Sequence, residues 1–518
     1  MDKGLPKKTG SLCPECKTVI PATLREEGGK VVMHKTCTEH GEFRSVYWSD
    51  VNMFLKAERW AFDGKGVEDP AIKDAQTCPD NCGLCNLHLS HTCLANVDLT
   101  NRCNLQCPVC FANANASGYV YEPSYQQIMD LLKILRSQKP VPTTAVQFSG
   151  GEPTVHPKFF EILKGASKMG FAQIQIATNG IELARNQGYA QKCVDSGLHT
   201  VYLQFDGLKE SNYIEARGKP LLDVKIKAIE NCRATKPRPL ATVLVPTIIK
   251  TINDDQVGDI LNFAIENSDV VRGVNYQPVA FTGRISQEER ESQRYTLSDL
   301  AIDLEKQTGY VSRDDFYPVP FVTPISQMIS VLKNDPQVAF TSHPHCGLAT
   351  YLIVEEDGKV IPITKYVDVE GLMNRMLEKA EEWDTFFHKT AFKIGGRFKS
   401  QESKKASLVK NFNKYFGDVL TDKKLPGGVT MAELMGDLLE KGDKKSVGDF
   451  TWRTMYIGGM HFQDDYNYDI ERVKRCVVHY AVPDGRIIPF CAYNGGPTYR
   501  NEIESKYSVP LKEWRERK

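Results

Sequence analysis

From Leu94 onward the sequence alternates between short apolar runs and longer amphipathic stretches, and this alternation constrains the fold more than any other feature. "LANVDLT" (94–100), "TTAVQFS" (143–149), "AQIQIAT" (172–178), "HTVYLQFD" (199–206), "LATVLVPT" (240–247) and "VRGVNYQPV" (271–279) read as buried strands. Between them, residues 124–138, 157–170, 185–197, 221–235 and 255–268 carry the apolar period of helices. Six strands with five intervening helices favour a parallel sheet, because each parallel connection needs a crossover long enough to hold a helix. The expected class is α/β: a partial, open (β/α)6 TIM-like barrel, with ligands at the carboxyl ends of its strands.

Two of the strand-end loops carry chemistry. After the first strand, "NRCNLQCPVC" places Cys103, Cys107 and Cys110 within eight positions, with no fourth sulfur nearby. A structural zinc takes four closed ligands, usually from two knuckles. A 4Fe-4S cluster held by three thiolates instead leaves one iron open to a ligand. After the second strand, "SGGEPT" (149–154) supplies Gly150 and Gly151, which permit close backbone approach, and Glu152, which offers a carboxylate to an amine. Alone, that segment reads as a turn; together with the cysteine triplet it is far more specific.

This pair of loops resembles the radical S-adenosylmethionine (SAM) enzymes. In them a CxxxCxxC loop holds a 4Fe-4S cluster whose free iron chelates the amino and carboxylate groups of SAM. The resemblance implies that Gly150, Gly151 and Glu152 meet the methionine amine. Asn179 in "ATNG", with Gln204 and Asp206 in "LQFDG", falls where such enzymes contact the ribose and carboxylate, and Gln277 falls near the adenine. Each of these polar residues also has an ordinary reading as a strand-end cap or turn former. The position before the last cysteine, commonly aromatic in the family, is Val109, with Phe111 following.

Thirteen of the fifteen cysteines fall in clusters, whereas Cys193 and Cys232 sit in helix-like segments and read as small core residues. "TCPDNCGLC" repeats the triplet spacing at Cys78, Cys82 and Cys85, with Cys93 available as a fourth ligand. Lacking its own GGEP partner, it reads as an auxiliary 4Fe-4S site. Near the start, "CPEC" (Cys13, Cys16) and "CTEHG" (Cys37, His40) form two knuckles around one tetrahedral metal, zinc by spacing and rubredoxin-like iron by company. Toward the end, "CGLATYLIVEEDGKVIPIT" and "CVVHYAVPDGRIIPFC" echo each other as cysteine, strand, D-G turn and strand, so each predicts a hairpin. Cys346, Cys476 and Cys491 are thereby candidates for a further cluster, with His479 or another group completing it.

With 65 basic and 65 acidic residues, the net charge of zero gives no electrostatic footprint for nucleic acid. The opening "MDKGLPKKTG" has no apolar secretory core, and the longest apolar run, 239–249, is too short to span a bilayer. A cytoplasmic protein is expected, with peripheral contact at the inner face of the membrane as a weaker expectation. It rests on the lysine-rich stretch 371–448, read first as a solvated helical insertion.

Over nearly its full length the motif order also resembles the archaeal tetraether lipid synthases and their relatives. Here the carriers are the ribbon, "CPDNCGLC", "QFSGGEPT", "GGMHFQDDYNYDIERVKRC" and "PDGRIIPFCAYN". That resemblance implies three 4Fe-4S clusters (one binding SAM, two auxiliary), one mononuclear iron, and an electron donor such as ferredoxin. The substrate it implies is an archaeal diether phospholipid whose phytanyl chains are joined at their terminal methyl carbons. It also implies four parts: a metal ribbon (1–62), an auxiliary-cluster segment (63–94), a radical SAM core (95–285) and a C-terminal auxiliary-cluster extension (286–518). The rival, from relatives with the same twin triplets, is C-methylation of a 7,8-dihydropterin in methanopterin biosynthesis, which wants a flat polar pocket. The segment 315–332, apolar enough to line a channel, reads first as core.

Overall fold

The computed structural model describes residues 1–282, 290–393, 415–421, 423–441 and 444–516. The chain opens with four antiparallel strands in sequential order: β1 (Lys7–Leu12), β2 (Val19–Glu27), β3 (Lys30–Cys37) and β4 (Gly41–Trp48). Gly28 and Gly29 turn β2 into β3, both at positive φ, as a tight two-residue hairpin requires. Helix α1 (Val51–Arg59) follows, its first turn capped by the Asp50 side chain accepting from the Met53 amide at 2.9 Å. Leu24, Val31, Met33 and Trp48 of the ribbon join one core with barrel residues such as Val97 and Val146, so the ribbon is seated on the barrel.

The barrel runs β5 (Leu94–Thr100), β6 (Tyr119–Tyr121), α2 (Tyr125–Arg136), β7 (Ala145–Gly150), α3 (Phe159–Lys168), β8 (Gln173–Thr178), α4 (Ile181–Arg185), α5 (Gln187–Asp195), β9 (Thr200–Gln204), α6 (Glu210–Arg217), α7 (Leu222–Arg233), β10 (Ala241–Val245), β11 (Thr247–Ile248), α8 (Val257–Glu266) and β12 (Val271–Pro278). Strands β5, β7, β8, β9, β10 and β12 pair in that order, all parallel, so the six-stranded expectation holds. Strands of near-continuous burial, such as β5 with six of its seven residues buried, are what a sheet covered on both faces requires.

The C-terminal part extends this sheet, which the sequence pattern did not reveal. Its strands are β13 (Tyr317–Pro318), β14 (Gly347–Val354), β15 (Val360–Pro362), β16 (Met455–Met460), β17 (Val478–Ala481) and β18 (Ile487–Pro489), and β19 (Ser508–Pro510) pairs with β6. β16 adds parallel to β12 and β17 adds parallel to β5, giving eight adjacent parallel strands. The sheet stays open, because β14 and β13 continue beyond β16 while β18 ends the order beyond β17. Both echoed motifs form antiparallel hairpins, β14–β15 and β17–β18, with Gly358 and Gly485 at positive φ in their turns.

The 315–332 segment is core: Phe321, Met328 and Leu332 pack with Leu372, Met373 and Met376. Cys193 and Cys232 are buried in the main core, as expected. The lysine-rich "SKKASLVKNFNK" (403–414) lies outside the described residues. Among the described residues no helix is long and apolar enough to cross a membrane.

Candidate active site

The carboxyl ends of the parallel strands open into a cavity of about 260 Å³. Cys103, Cys107 and Cys110 line it together with Gly150, Gly151, Glu152, Asn179, Gln204 and Gln277. The sequence separates these residues by up to 174 positions, and the barrel topology brings them to one end of the sheet because successive parallel strands all end on the same side.

The cysteine loop is held from several directions. The Asn115 side chain accepts from the Cys103 amide at 3.0 Å and donates to the carbonyls of Cys103 (2.8 Å) and Leu105 (3.0 Å). Arg217 donates to the Val109 carbonyl at 3.0 Å. Across the loop, Gly150 and Gly151 lie against the backbone of β5's end: a Cβ at Gly150 would stand 2.2 Å from the Thr100 oxygen, and one at Gly151 2.3 Å from the Arg102 oxygen. This contact explains the two glycines, and the Gly151 amide donates to the Thr100 carbonyl at 2.7 Å.

Glu152 reaches the cavity but is already engaged. Its Oε1 accepts from the Thr154 amide and hydroxyl and from the Thr178 hydroxyl, at 3.2, 2.5 and 2.7 Å. Its Oε2 accepts only from the Asn179 amide, at 2.9 Å, which leaves that oxygen a free lone pair. Burial raises its pKa against the pull of these bonds. Asp206 departs from its expected place. It does not line the cavity; it is fully buried and accepts two 2.7 Å bonds from Arg217 and one of 3.1 Å from the Thr247 amide. The fork-shaped guanidinium satisfies a carboxylate that has no water, so Asp206 acts through Arg217 on the cysteine loop.

Sequence reasoning missed several residues in and behind the cavity wall. Arg217 lines the cavity, and Lys225 lies buried behind the lining residues Asn179 and Gln204; both bring positive charge. The Lys225 ammonium, fully buried, donates to the Asn179 carbonyl (2.6 Å) and Gln204 Oε1 (3.2 Å), and desolvation holds its pKa down to about 8. Asn96 and Asn275 also line the cavity, and Asn96 Nδ2 and Asn275 Oδ1 are buried without a hydrogen-bond partner. Asn96 accepts from Gln147 at 2.7 Å and Gln147 from Gln175 at 2.8 Å, so the chain of amides ends on a donor without a partner among the described residues. Asn96 sits mid-strand in an apolar run, a position at which a polar residue without a visible partner is the available signal.

The far wall is aromatic. Phe462 stacks on Phe490 with centroids 3.7 Å apart, and Phe111 and Tyr480 flank Phe490 at 5.7 and 5.4 Å. The three thiols fit an iron cluster by their chemistry: burial pushes Cys103 up to about 12 and raises Cys107, so a cationic group is what would hold them as thiolates.

Cys13, Cys16, Cys37 and His40 come together with ligand atoms all within 4.8 Å of one another, and His40 Nδ1 lies 3.5 Å from Cys37 Sγ. Two hydrogen bonds from Thr18 lower Cys16 to about 6, the thiolate form a metal takes. In the upstream triplet, burial first and then the nearby thiols of Cys78, Cys85 and Cys476 push the Cys82 thiol well above its ordinary value. Cys93 packs in one buried cluster with Cys82 and Cys78; its thiol donates to the Ala339 carbonyl at 3.3 Å, and burial raises its pKa. Cys346, Cys476 and Cys491 line a second, smaller cavity. His479 is not among its lining; it faces His88 Nε2 at 3.2 Å.

Residues 97–264 match the model of the Radical SAM superfamily, and residues 5–49 match the HMPTM N-terminal zinc ribbon domain. Over 512 residues the chain is 46% identical to the 7,8-dihydro-6-hydroxymethylpterin dimethyltransferase of Methanocaldococcus jannaschii, covering 98% of this chain and 97% of that protein. The chain belongs to this radical SAM family. It is therefore a radical SAM enzyme, and membership implies a 4Fe-4S cluster and SAM. A GTP 3',8-cyclase of Clostridium acetobutylicum is 28% identical over 224 residues, 43% of this chain and 64% of that protein. Among solved structures, Streptococcus suis SuiB has a TM-score of 0.34 at 19% identity, covering 42% of this chain and 46% of that one.

The full-length match corrects the expectation of a tetraether lipid synthase. Every motif used for that resemblance lies inside an alignment to a protein named for a pterin, so those motifs do not carry a lipid substrate. The diether phospholipid partner falls for the same reason, and the peripheral membrane contact, expected from the lysine-rich stretch, gains no support from that match.

Proposed function

We propose that this protein is a radical SAM C-methyltransferase acting on a 7,8-dihydropterin. The observation that carries the reading is the 46% identity across 98% of the chain to an enzyme named for that activity. The site supports it in two ways. The stacked wall of Phe462 and Phe490 suits a planar ring. The unmatched amide donor of Asn96 and acceptor of Asn275 suit a heterocycle that presents both kinds of group along its edge.

Cys103, Cys107 and Cys110 would hold the 4Fe-4S cluster, with SAM seated between Gly150–Glu152 and Asn179, Gln204 and Gln277. When bound, the cluster and SAM supply a 5'-deoxyadenosyl radical able to take hydrogen from an unactivated C–H bond. The protein's own part is to position and to keep dry. Arg217 fixes the cysteine loop through Val109, and Lys225, from behind the wall, holds Asn179 and Gln204 in place. The aromatic wall excludes water from the reacting atoms. We assign auxiliary 4Fe-4S clusters to Cys78, Cys82 and Cys85 and to Cys346, Cys476 and Cys491, and a mononuclear zinc or iron to Cys13, Cys16, Cys37 and His40. All fifteen cysteines are unpaired, which suits a reducing compartment and an external donor such as ferredoxin.

The test is substrate coupling. In the iron- and sulfide-reconstituted protein, 7,8-dihydro-6-hydroxymethylpterin should raise the rate of 5'-deoxyadenosine release from SAM. Replacing both Phe462 and Phe490 by alanine should raise the pterin concentration needed while the Cys103→Ala/Cys107→Ala/Cys110→Ala variant releases none. A rate indifferent to the pterin would refute the substrate and leave the family assignment standing.

A further inference from the structure

The second cavity lies where the open sheet fails to close. Cys346 immediately precedes β14, and His461 immediately follows β16; the His461 amide donates to the Cys346 carbonyl at 3.0 Å. Cys476 precedes β17 and Cys491 follows β18, so they come from the other edge of the sheet. All four line the cavity, and Cys491 lines the main cavity as well.

Two buried groups here lack what burial demands. His461 is 2% exposed, and both its ring nitrogens are without a hydrogen-bond partner among the described residues. An imidazole in that state forfeits two hydrogen bonds, a cost that a ligand bond removes. Arg472 is equally buried, and among the described residues no carboxylate pairs with it. Its Nε donates to Cys346 Sγ at 3.3 Å, and another nitrogen donates to the His461 carbonyl. A guanidinium without a counter-ion inside a protein calls for an anion at that point.

We infer that His461 is the fourth ligand of a 4Fe-4S cluster held by Cys346, Cys476 and Cys491, with Arg472 as its counter-charge, and that this cluster borders the substrate cavity. The inference rests on the assignment of those three cysteines to a cluster. Three thiolates on a doubly positive cluster core leave one net negative charge. A neutral imidazole does not alter that sum, and one arginine cancels it, whereas a fourth thiolate would leave an uncancelled charge in an apolar cavity. The cluster would also tie the β14–β16 pair to the β17–β18 hairpin, the two antiparallel pairs that flank the parallel run at its opposite sides. Cys491, shared by both cavities, and the adjoining Phe490 place the cluster against the aromatic wall.

The experiment uses the full chain, reconstituted with iron and sulfide, reduced, free of SAM and of imidazole, in a His40→Cys background that removes the ribbon's nitrogen. Pulsed electron paramagnetic resonance should detect a directly bound ¹⁴N. His461→Cys should keep the iron and sulfide content and lose that nitrogen; His461→Ala should lose it too, with a changed cluster spectrum. A nitrogen signal that survives in His461→Cys, or none in the parent, overturns the histidine ligand. A separate arm tests the underlying cluster. Cys346→Ala/Cys476→Ala/Cys491→Ala should lose one cluster's worth of iron, and a variant that keeps it all overturns the cluster assignment and the inference with it.

Discussion

Replacing Arg217 by methionine isolates the largest electrostatic debt at the strand ends. In the native protein Arg217 gives Asp206 two bonds of 2.7 Å, both groups being buried, and a third nitrogen bond goes to Thr247 Oγ1 at 2.9 Å. Methionine keeps most of the packing and leaves the carboxylate with the Thr247 amide alone. Breaking one partner out of a buried pair costs about 3–5 kcal/mol, because the remaining charge is uncompensated. Urea unfolding followed by circular dichroism reads the loss, and the double variant Asp206→Leu/Arg217→Met should recover most of it, since an apolar pair needs no compensation. A single variant within about 1 kcal/mol of the parent would refute the reasoning.

Other consequences are independent of that pair. Gly150→Ala places a Cβ 2.2 Å from the Thr100 oxygen at φ +123°, and should cost about 3 kcal/mol or more, read as a lowered unfolding midpoint with loss of iron at the first triplet. Lys225, held down to about 8 and ordinarily near 10.4 when unfolded, binds fewer protons in the folded state between those values. The parent should thus gain stability relative to Lys225→Met as pH climbs from about 8 to about 10.4; equal slopes in denaturant titrations would contradict the buried charge. His40→Ala should release the ribbon metal to a chelator at concentrations the parent withstands, while His40→Cys retains it, with metal content read by elemental analysis.

The barrel was legible because parallel strands buried on both faces read as continuous apolar runs, and helices between them keep a separate period. All six barrel strands lie where the pattern puts them, within two residues at each end. β16 was not legible as a strand, and β17, read as the first strand of a hairpin, was not legible as part of the sheet: their places beside β12 and β5 are set by contacts nearly 200 and 400 positions away in the chain. The same contrast holds at the site. Cys103, Cys107, Cys110 and Gly150–Glu152 announce themselves by spacing, whereas His40, equally readable as a surface histidine, is picked out by its place beside Cys13, Cys16 and Cys37 in the fold. Arg217, Lys225, Asn96 and His461 carry no local pattern; buried charge marks the first two and buried ring or amide nitrogens without a partner among the described residues mark the others, which only the packed structure displays. The substrate was the least legible of all, because the cysteine motifs report the cofactor and not what the cavity holds.

The most direct test is the product itself. The reconstituted protein, kept anaerobic, is incubated with SAM, a reductant and 7,8-dihydro-6-hydroxymethylpterin, with and without a methylene-carrying folate-like donor, and the pterin is weighed by mass spectrometry. A pterin heavier by one or two methyl groups, absent when the Cys103, Cys107 and Cys110 thiols are replaced, is the expected result. Release of 5'-deoxyadenosine with the pterin unchanged under both conditions would contradict the proposed function.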